Sequence, residues 1–116
     1  MAFERKISRL ERIIGELQHA LNTTTGNTPE QRINPATNLH DLEMAPQQIR
    51  HSAGLMRINH TGEVCAQALY LGQARVAKTQ ETRDQLLHAA SEEADHLSWC
   101  EQRLKELDSK PSIFNP

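Results

Sequence analysis

The stretch SEEADHLSWCEQRL, residues 91–104, gives the clearest indication of the fold of this chain. In and around it, small or apolar residues recur in steps of four and three, as on a helix that packs in a bundle. The row consists of Leu86, Ala90, Glu93, Leu97, Cys100, Leu104 and Leu107. Glu93 is the one carboxylate in it, and His96 follows one helical turn later. Because a buried carboxylate needs a cation, a proton or a metal ion, this helix is predicted to carry a functional site.

Length and composition narrow the classes of protein. The 116 residues are enough for one modest domain, and the net charge of -2 with 3% aromatic residues argues against nucleic-acid binding. The two cysteines, Cys65 and Cys100, form no CxxC pair, so we expect both in the core of a reduced protein. We find neither an apolar run of about 18 residues that could span a membrane nor a signal or transit peptide.

Hydrophobic periodicity predicts an all-α fold with three helices, at residues 3 to about 22, about 46 to 78 and about 83 to 108. Pro46 suits the first turn of the second helix, and Thr82 with Gln85 predicts a capping box at the start of the third. The polar connection, residues 23–45, is unusually long, so it either wraps the surface or is mobile. We divide the chain into the first helix with this connection, 1–45, and a helical hairpin, 46–116.

The second helix is apolar on two sides, which predicts burial between neighbouring helices. One stripe consists of Leu55, Ile58, Gly62, Cys65, Leu69, Gly72 and Val76, and the other of Met56, Glu63, Ala66, Tyr70 and Ala74. An antiparallel hairpin that bends near residue 78 sets Glu63 level with Glu93. Carboxylates with an imidazole suit iron, manganese or zinc. One Glu on one helix and Glu-x-x-His on the next is half of the ferritin-like di-iron carboxylate pattern.

Simpler interpretations remain for single residues. Glu-x-x-His alone is common on helices, where a solvated Glu and a surface His usually explain it. His60 could support Glu63 from one turn away, although a surface histidine is more common. Glu92 and Asp95 are expected to face solvent, and Trp99 is expected to pack beside the row. Basic residues of the first helix could touch anionic lipid, but docking on the bundle is an equal alternative.

Three segments carry a family resemblance: HSAGLMRINHTGEVCAQALYLGQ at 51–73, EEADHLSWCEQRL at 92–104 and SKPSIFNP at 109–116. In this order they resemble the bacterial 3-demethoxyubiquinol 3-hydroxylases of ubiquinone biosynthesis, a family similar to ferritin-like di-iron proteins. The resemblance implies a di-iron monooxygenase that uses O2 to hydroxylate a polyprenylated quinol. It also implies a peripheral position on the cytoplasmic side of the cell membrane.

The resemblance assigns roles to three residues. It implies that Glu63 is a terminal ligand of the first iron, that Glu93 bridges both irons and that His96 binds the first iron. Members of the family continue past the final Asn-Pro with two more helices and a second ligand set. We therefore expect this chain to be the N-terminal half of a ferritin-like four-helix bundle and to be inactive alone. Two copies could supply a full ligand set, so a homodimer is also expected.

Two other classes of function remain open at the level of sequence. One is a ferritin-like metal-binding or storage bundle without oxygenase activity. The other is a helical interaction module whose buried glutamate is neutral or salt-bridged and which binds no metal tightly. Metal binding separates the second class from the first, and a response to quinol separates the first from the hydroxylase.

Overall fold

The structure, a computed structural model, describes residues 8–26 and 28–112. These residues form three helices and no strand: α1 (Arg9–Thr25), α2 (Pro46–Val76) and α3 (Gln80–Glu106). The predicted all-α class is thereby confirmed. The predicted start of the first helix, at residues 3–7, lies outside the described residues. None of the described helices is long and apolar enough to cross a membrane.

Local sequence explains where α1 begins and ends. The Ser8 side chain accepts a hydrogen bond from the Glu11 backbone N–H, and Glu11 accepts one from the Ser8 N–H, which makes a capping box. Gly26 ends the helix with a left-handed φ of 76°. A Cβ at this position would also lie 2.9 Å from Cγ of Pro111, so glycine is required for two reasons.

Helices α2 and α3 form the predicted antiparallel hairpin, closed by residues 77–79. Pro46 occupies the first turn of α2, as expected. The capping prediction for α3 is wrong by three residues, because Thr79 is the cap and its hydroxyl accepts the Thr82 N–H at 3.2 Å. The apolar core between the helices is small and alanine-rich: Ala53, Val64, Ala74, Ala90, Leu97, Leu104 and Leu107.

The long connection has neither helix nor strand between residues 28 and 45, but it is fastened to α3. We call residues 28–41 the strap. Its contacts pair Thr28 with Glu101, Gln31 and Arg32 with Asp95, Asn34 with Gln102, and Asp41 with Arg103. Of the two alternatives that the sequence left open, the structure favours a segment that wraps the surface. The division into domains at residue 45 stays a prediction.

Two apolar surfaces face outward. The stripe on α2 that was expected to be buried is exposed instead, with Leu55, Ile58, Leu69 and Val76 each more than half accessible. That expectation is wrong for the described part of the chain because α1 and α3 contact other sides of α2. Helix α1 also turns its apolar face outward, through Leu10, Ile13, Ile14, Leu17 and Leu21.

Candidate metal centre

Three side chains from two helices converge at the middle of the hairpin. Glu63 comes from α2, and Glu93 and His96 come from successive turns of α3. Each of them offers one ligand atom, and these atoms all lie within 4.8 Å of one another. Nδ1 of His96 lies 3.1 Å from Oε2 of Glu93 and 3.8 Å from Oε2 of Glu63. No other His, Cys, Asp or Glu group of this kind occurs among residues 8–26 and 28–112.

Helical geometry explains the convergence. Residues three apart share one face of a helix, so Glu93 and His96 point the same way. The antiparallel register of the hairpin then sets Glu63 against them. The exposed fractions of the side chains are 17% for Glu93, 29% for Glu63 and 42% for His96. The cluster is therefore partly desolvated and opens to solvent on the His96 side.

The electrostatics of the cluster favour a bound cation. Burial, followed by the hydrogen bond and negative charge of Glu93, raises the pKa of Glu63 to about 7, although His96 acts in the opposite direction. A carboxyl whose charge is this unfavourable gains from a nearby positive ion. Two carboxylates and an imidazole nitrogen are a donor set for iron, manganese or zinc. The residues present thus fit a metal ion in both geometry and chemistry.

All three residues predicted as ligands are brought together, although metal binding itself stays a prediction. Beside them lies a buried polar cluster that the sequence analysis largely missed. His60 is fully buried, with Nε2 3.2 Å from Oε1 of Glu101. Oε1 of Glu101 also accepts the Thr28 hydroxyl at 2.9 Å, and Oε2 accepts the Thr28 N–H at 3.1 Å. The more common reading of His60 as a surface residue is therefore wrong.

A sequence signal for Glu101 was present. It follows Leu97 by four residues and precedes Leu104 by three, which is the spacing of a buried helical row. Both neighbours are fully buried and Glu101 is only 5% exposed. Its partners come from α2 and the strap, and neither could be identified by periodicity.

Asp95 also differs from expectation, because it is 2% exposed rather than solvated. Oδ1 of Asp95 accepts hydrogen bonds from the backbone N–H groups of Gln31 and Arg32. Oδ2 accepts one from Nε of Arg32 at 2.6 Å. Desolvation acts to raise the pKa of Asp95, but the hydrogen bonds from Arg32 and the Gln31 N–H outweigh it and lower that pKa. Glu92 is exposed, as predicted.

The two cysteines have different environments. Cys65 is exposed on the outer stripe of α2, so its predicted core position is wrong. Cys100 is half-buried near Glu63 and Glu101, and burial together with the charges of these two residues raises its pKa to about 11. Trp99 packs beside the row as predicted, with its ring centroid 5.4 Å from that of His96.

The known proteins described here as similar to this chain share one name. The 3-demethoxyubiquinol 3-hydroxylase of Xanthomonas euvesicatoria pv. vesicatoria is 59% identical over 94% of this chain and 50% of its own length. The protein of the same name from Xylella fastidiosa is 52% identical over 97% of this chain and 52% of its own length. The chain thus spans about half the length of these curated relatives. No solved structure matches it.

The model of one protein family, described as ubiquinone biosynthesis protein COQ7, matches residues 50–116. The matched region contains α2, α3 and all three members of the carboxylate–imidazole cluster. It also contains all three segments on which the resemblance was noted. This chain belongs to the COQ7 family of ubiquinone biosynthesis proteins.

Proposed function

We propose that this chain supplies the first half of a di-iron 3-demethoxyubiquinol 3-hydroxylase. The observation that carries the proposal is the convergence of Glu63, Glu93 and His96 within 4.8 Å in a member of the COQ7 family. Both relatives described above bear the name of this enzyme. The reaction is hydroxylation of the ring of a demethoxyubiquinol, with a polyprenylated quinol and O2 as substrates.

In this proposal the three side chains hold iron, with two ions in the complete site. Glu63 would hold one ion, Glu93 would be shared by both, and His96 would bind through Nδ1, the nitrogen that faces both carboxylates. Iron when bound supplies the electrons that activate O2. The protein fixes the ligands on two packed helices, which limits their movement relative to one another. A carboxyl group must be deprotonated to bind a metal ion. With a pKa of about 7, Glu63 is partly protonated at neutral pH and would release this proton on binding.

The proposal includes a peripheral position on the cytoplasmic face of the cell membrane. Support comes from α1, whose apolar residues at helical spacing are at least half exposed along one face. Its opposite face is held to α2 by Glu16 with Arg75 at 3.3 Å and by His19 with Gln67 at 3.1 Å. A helix that is bound to the protein by its polar face and exposes its apolar face suits an interfacial position on a lipid surface.

Self-association of this chain is also proposed. Glu63, Glu93 and His96 are each partly exposed, so a second hairpin packed against this side of the first would bring its own three ligands near the first set. Four carboxylates and two imidazoles are the ligand count of di-iron bundles. An isologous contact would bury both ligand-bearing sides at once. Sedimentation of the chain tests this, because a monomer with and without ferrous iron would reject it.

Product formation tests the proposed activity. The chain extended to the length of its relatives should convert a demethoxyubiquinol to the hydroxylated quinol under air with a reductant, followed by mass spectrometry of the quinol. Glu93→Ala should abolish the product. The matched control is Glu92→Ala, the exposed carboxylate next to it on α3, which should retain activity. Iron uptake without product would favour a storage bundle, and neither iron nor product would favour an interaction module.

A further inference from the structure

The strap is fastened to α3 at the residue next to His96. Asp95 accepts three hydrogen bonds there: from the N–H of Gln31 at 2.6 Å, from the N–H of Arg32 at 3.2 Å and from Nε of Arg32 at 2.6 Å. Because Asp95 is 2% exposed, loss of these donors would leave a buried charge without compensation. The position of Arg32 relative to α3 is therefore well determined.

Arg32 in turn fixes an aromatic ring. Its guanidinium carbon lies 5.4 Å from the centroid of the Trp99 ring, within range of a cation–π interaction. Nε1 of Trp99 donates a hydrogen bond to the backbone oxygen of Arg32 at 3.3 Å. The indole is thus held by the strap at two points, one through its face and one through its edge.

Trp99 then contacts the imidazole of the metal cluster. The ring centroids of Trp99 and His96 are 5.4 Å apart, with the planes tilted by 49°. Nδ1 of His96 faces Glu93 and Glu63, so the indole restricts a ring whose nitrogen must keep one orientation to bind a metal. His96 is 42% exposed, so the protein encloses its ring only in part.

We propose that Arg32 is a positioning residue for His96, acting through Trp99, so that docking of the strap and metal binding at the hairpin are coupled. The inference rests on the proposed metal site. Coupling of two binding events is reciprocal: whatever factor the docked strap adds to metal affinity, the metal adds to docking of the strap. Groups that orient a metal ligand typically change metal affinity by about 10- to 100-fold when they are removed. The strap, which carries no ligand among the described residues, is then part of the site.

The chain contains a matched control for this proposal. Asp41 and Arg103 also join the strap to α3, through contacts of 2.6 and 2.8 Å, but among the described residues neither forms a hydrogen bond or cation–π contact with Trp99. Asp41→Ala removes one strap contact and leaves the Arg32–Trp99–His96 contacts in place. Arg32→Ala removes both the contact with Asp95 and the contact with Trp99. Arg32→Lys keeps the charge without the planar guanidinium and covers the case in which Arg32→Ala fails to fold.

Two readouts on the 116-residue chain test the coupling. Calorimetric titration with Co²⁺ gives metal affinity, and quenching of tryptophan fluorescence by Co²⁺ reports on Trp99, the only tryptophan. We expect Arg32→Ala to weaken Co²⁺ binding about tenfold, and Arg32→Lys to weaken it less. Asp41→Ala should stay close to wild type. In hydrogen exchange, Co²⁺ should slow the amides of Gln31 and Arg32 in the wild-type chain.

Each outcome has a defined meaning. Unchanged affinity in Arg32→Ala, with Co²⁺ bound by the wild-type chain, rejects the coupling and leaves the metal site intact. Equal weakening by Arg32→Ala and Asp41→Ala also rejects it, because the strap would then act only on the fold. Absence of Co²⁺ binding by the wild-type chain rejects the metal site itself, and the coupling with it. Circular dichroism of every variant checks that the helices are retained.

Discussion

Glu63 should oppose folding of the metal-free chain, and Glu63→Gln should relieve that effect. Burial and the neighbouring Glu93 raise the pKa of Glu63 from 4.5 to about 7. A carboxyl whose pKa is higher in the folded state favours folding while it is protonated. The wild-type free energy of unfolding therefore falls as the pH rises from 4.5 to about 7 and changes little above that. Glutamine has a similar shape and no charge, so its variant lacks this fall.

The magnitude follows from the same values. At about 1.4 kcal/mol per pH unit, the difference between 4.5 and about 7 corresponds to roughly 3 kcal/mol at most. The side chain is 29% exposed, so screening by solvent reduces the effect to about 1–2 kcal/mol. In alkaline solution Glu63→Gln should be more stable than the wild-type chain by this amount, while it loses metal affinity.

Urea unfolding followed by circular dichroism, with a chelator present, measures the difference. The difference in free energy of unfolding between Glu63→Gln and wild type should be close to zero near about pH 5 and reach its full value near about pH 8. Glu92→Gln is the control, because Glu92 is a 48% exposed glutamate on α3 and its substitution should change stability by less than about 0.5 kcal/mol. A Glu63→Gln chain that is no more stable than wild type at the higher pH would refute the electrostatic reasoning, as would a gain independent of pH.

Four further predictions concern other parts of the molecule. At mildly alkaline pH a thiol reagent should label exposed Cys65 much faster than Cys100, whose pKa of about 11 leaves little thiolate, and Cys65→Ser should remove the fast phase. Gln67→Ala should lower the free energy of unfolding by about 1–3 kcal/mol, because Gln67 is buried and links α1 to Ala90 of α3, whereas exposed Gln73→Ala should have little effect. In hydrogen exchange the amides of Thr28, Gln31 and Arg32, which donate to α3, should be better protected than that of His40, and uniform protection over residues 23–45 would contradict this. In a chain extended to the length of its relatives, Glu93→Ala should reduce quinol hydroxylation more than His96→Ala, because in the proposed site Glu93 serves both metals and His96 serves one. Near-normal product from Glu93→Ala, or as much product as from His96→Ala, would count against the bridging role.

Helix content and the convergence of Glu63, Glu93 and His96 could be predicted because both depend on local periodicity. The row through Leu97 and Leu104 identified the buried side of α3, and both residues are fully buried. A short bend near residue 78 fixed the register, which sets Glu63 against Glu93. Capping was less predictable, since Thr79 and Thr82 both have a hydroxyl and only the backbone path decides which of them caps α3.

The strap and its partners could not be predicted in the same way. Asp95 lies on the side of α3 away from the hairpin seam, where a carboxylate normally faces solvent. It is buried because Gln31 and Arg32 cover it, and a segment without periodicity gives no sign of where it packs. The same reason applies to His60 and Glu101, which are enclosed partly by Thr28. Cys65 was misplaced because its apolar stripe has no partner among the described residues.

Binding of ferrous iron by the 116-residue chain tests most directly whether Glu63, Glu93 and His96 form a metal site. Anaerobic equilibrium dialysis of the wild-type chain should show bound iron, and Glu93→Gln should lose most of it, because the side chain at position 93 then keeps its shape without its charge. Glu92→Gln, its exposed neighbour, should bind as much iron as wild type. A wild-type chain without iron, or a Glu93→Gln chain that binds as much as wild type, would contradict the assignment.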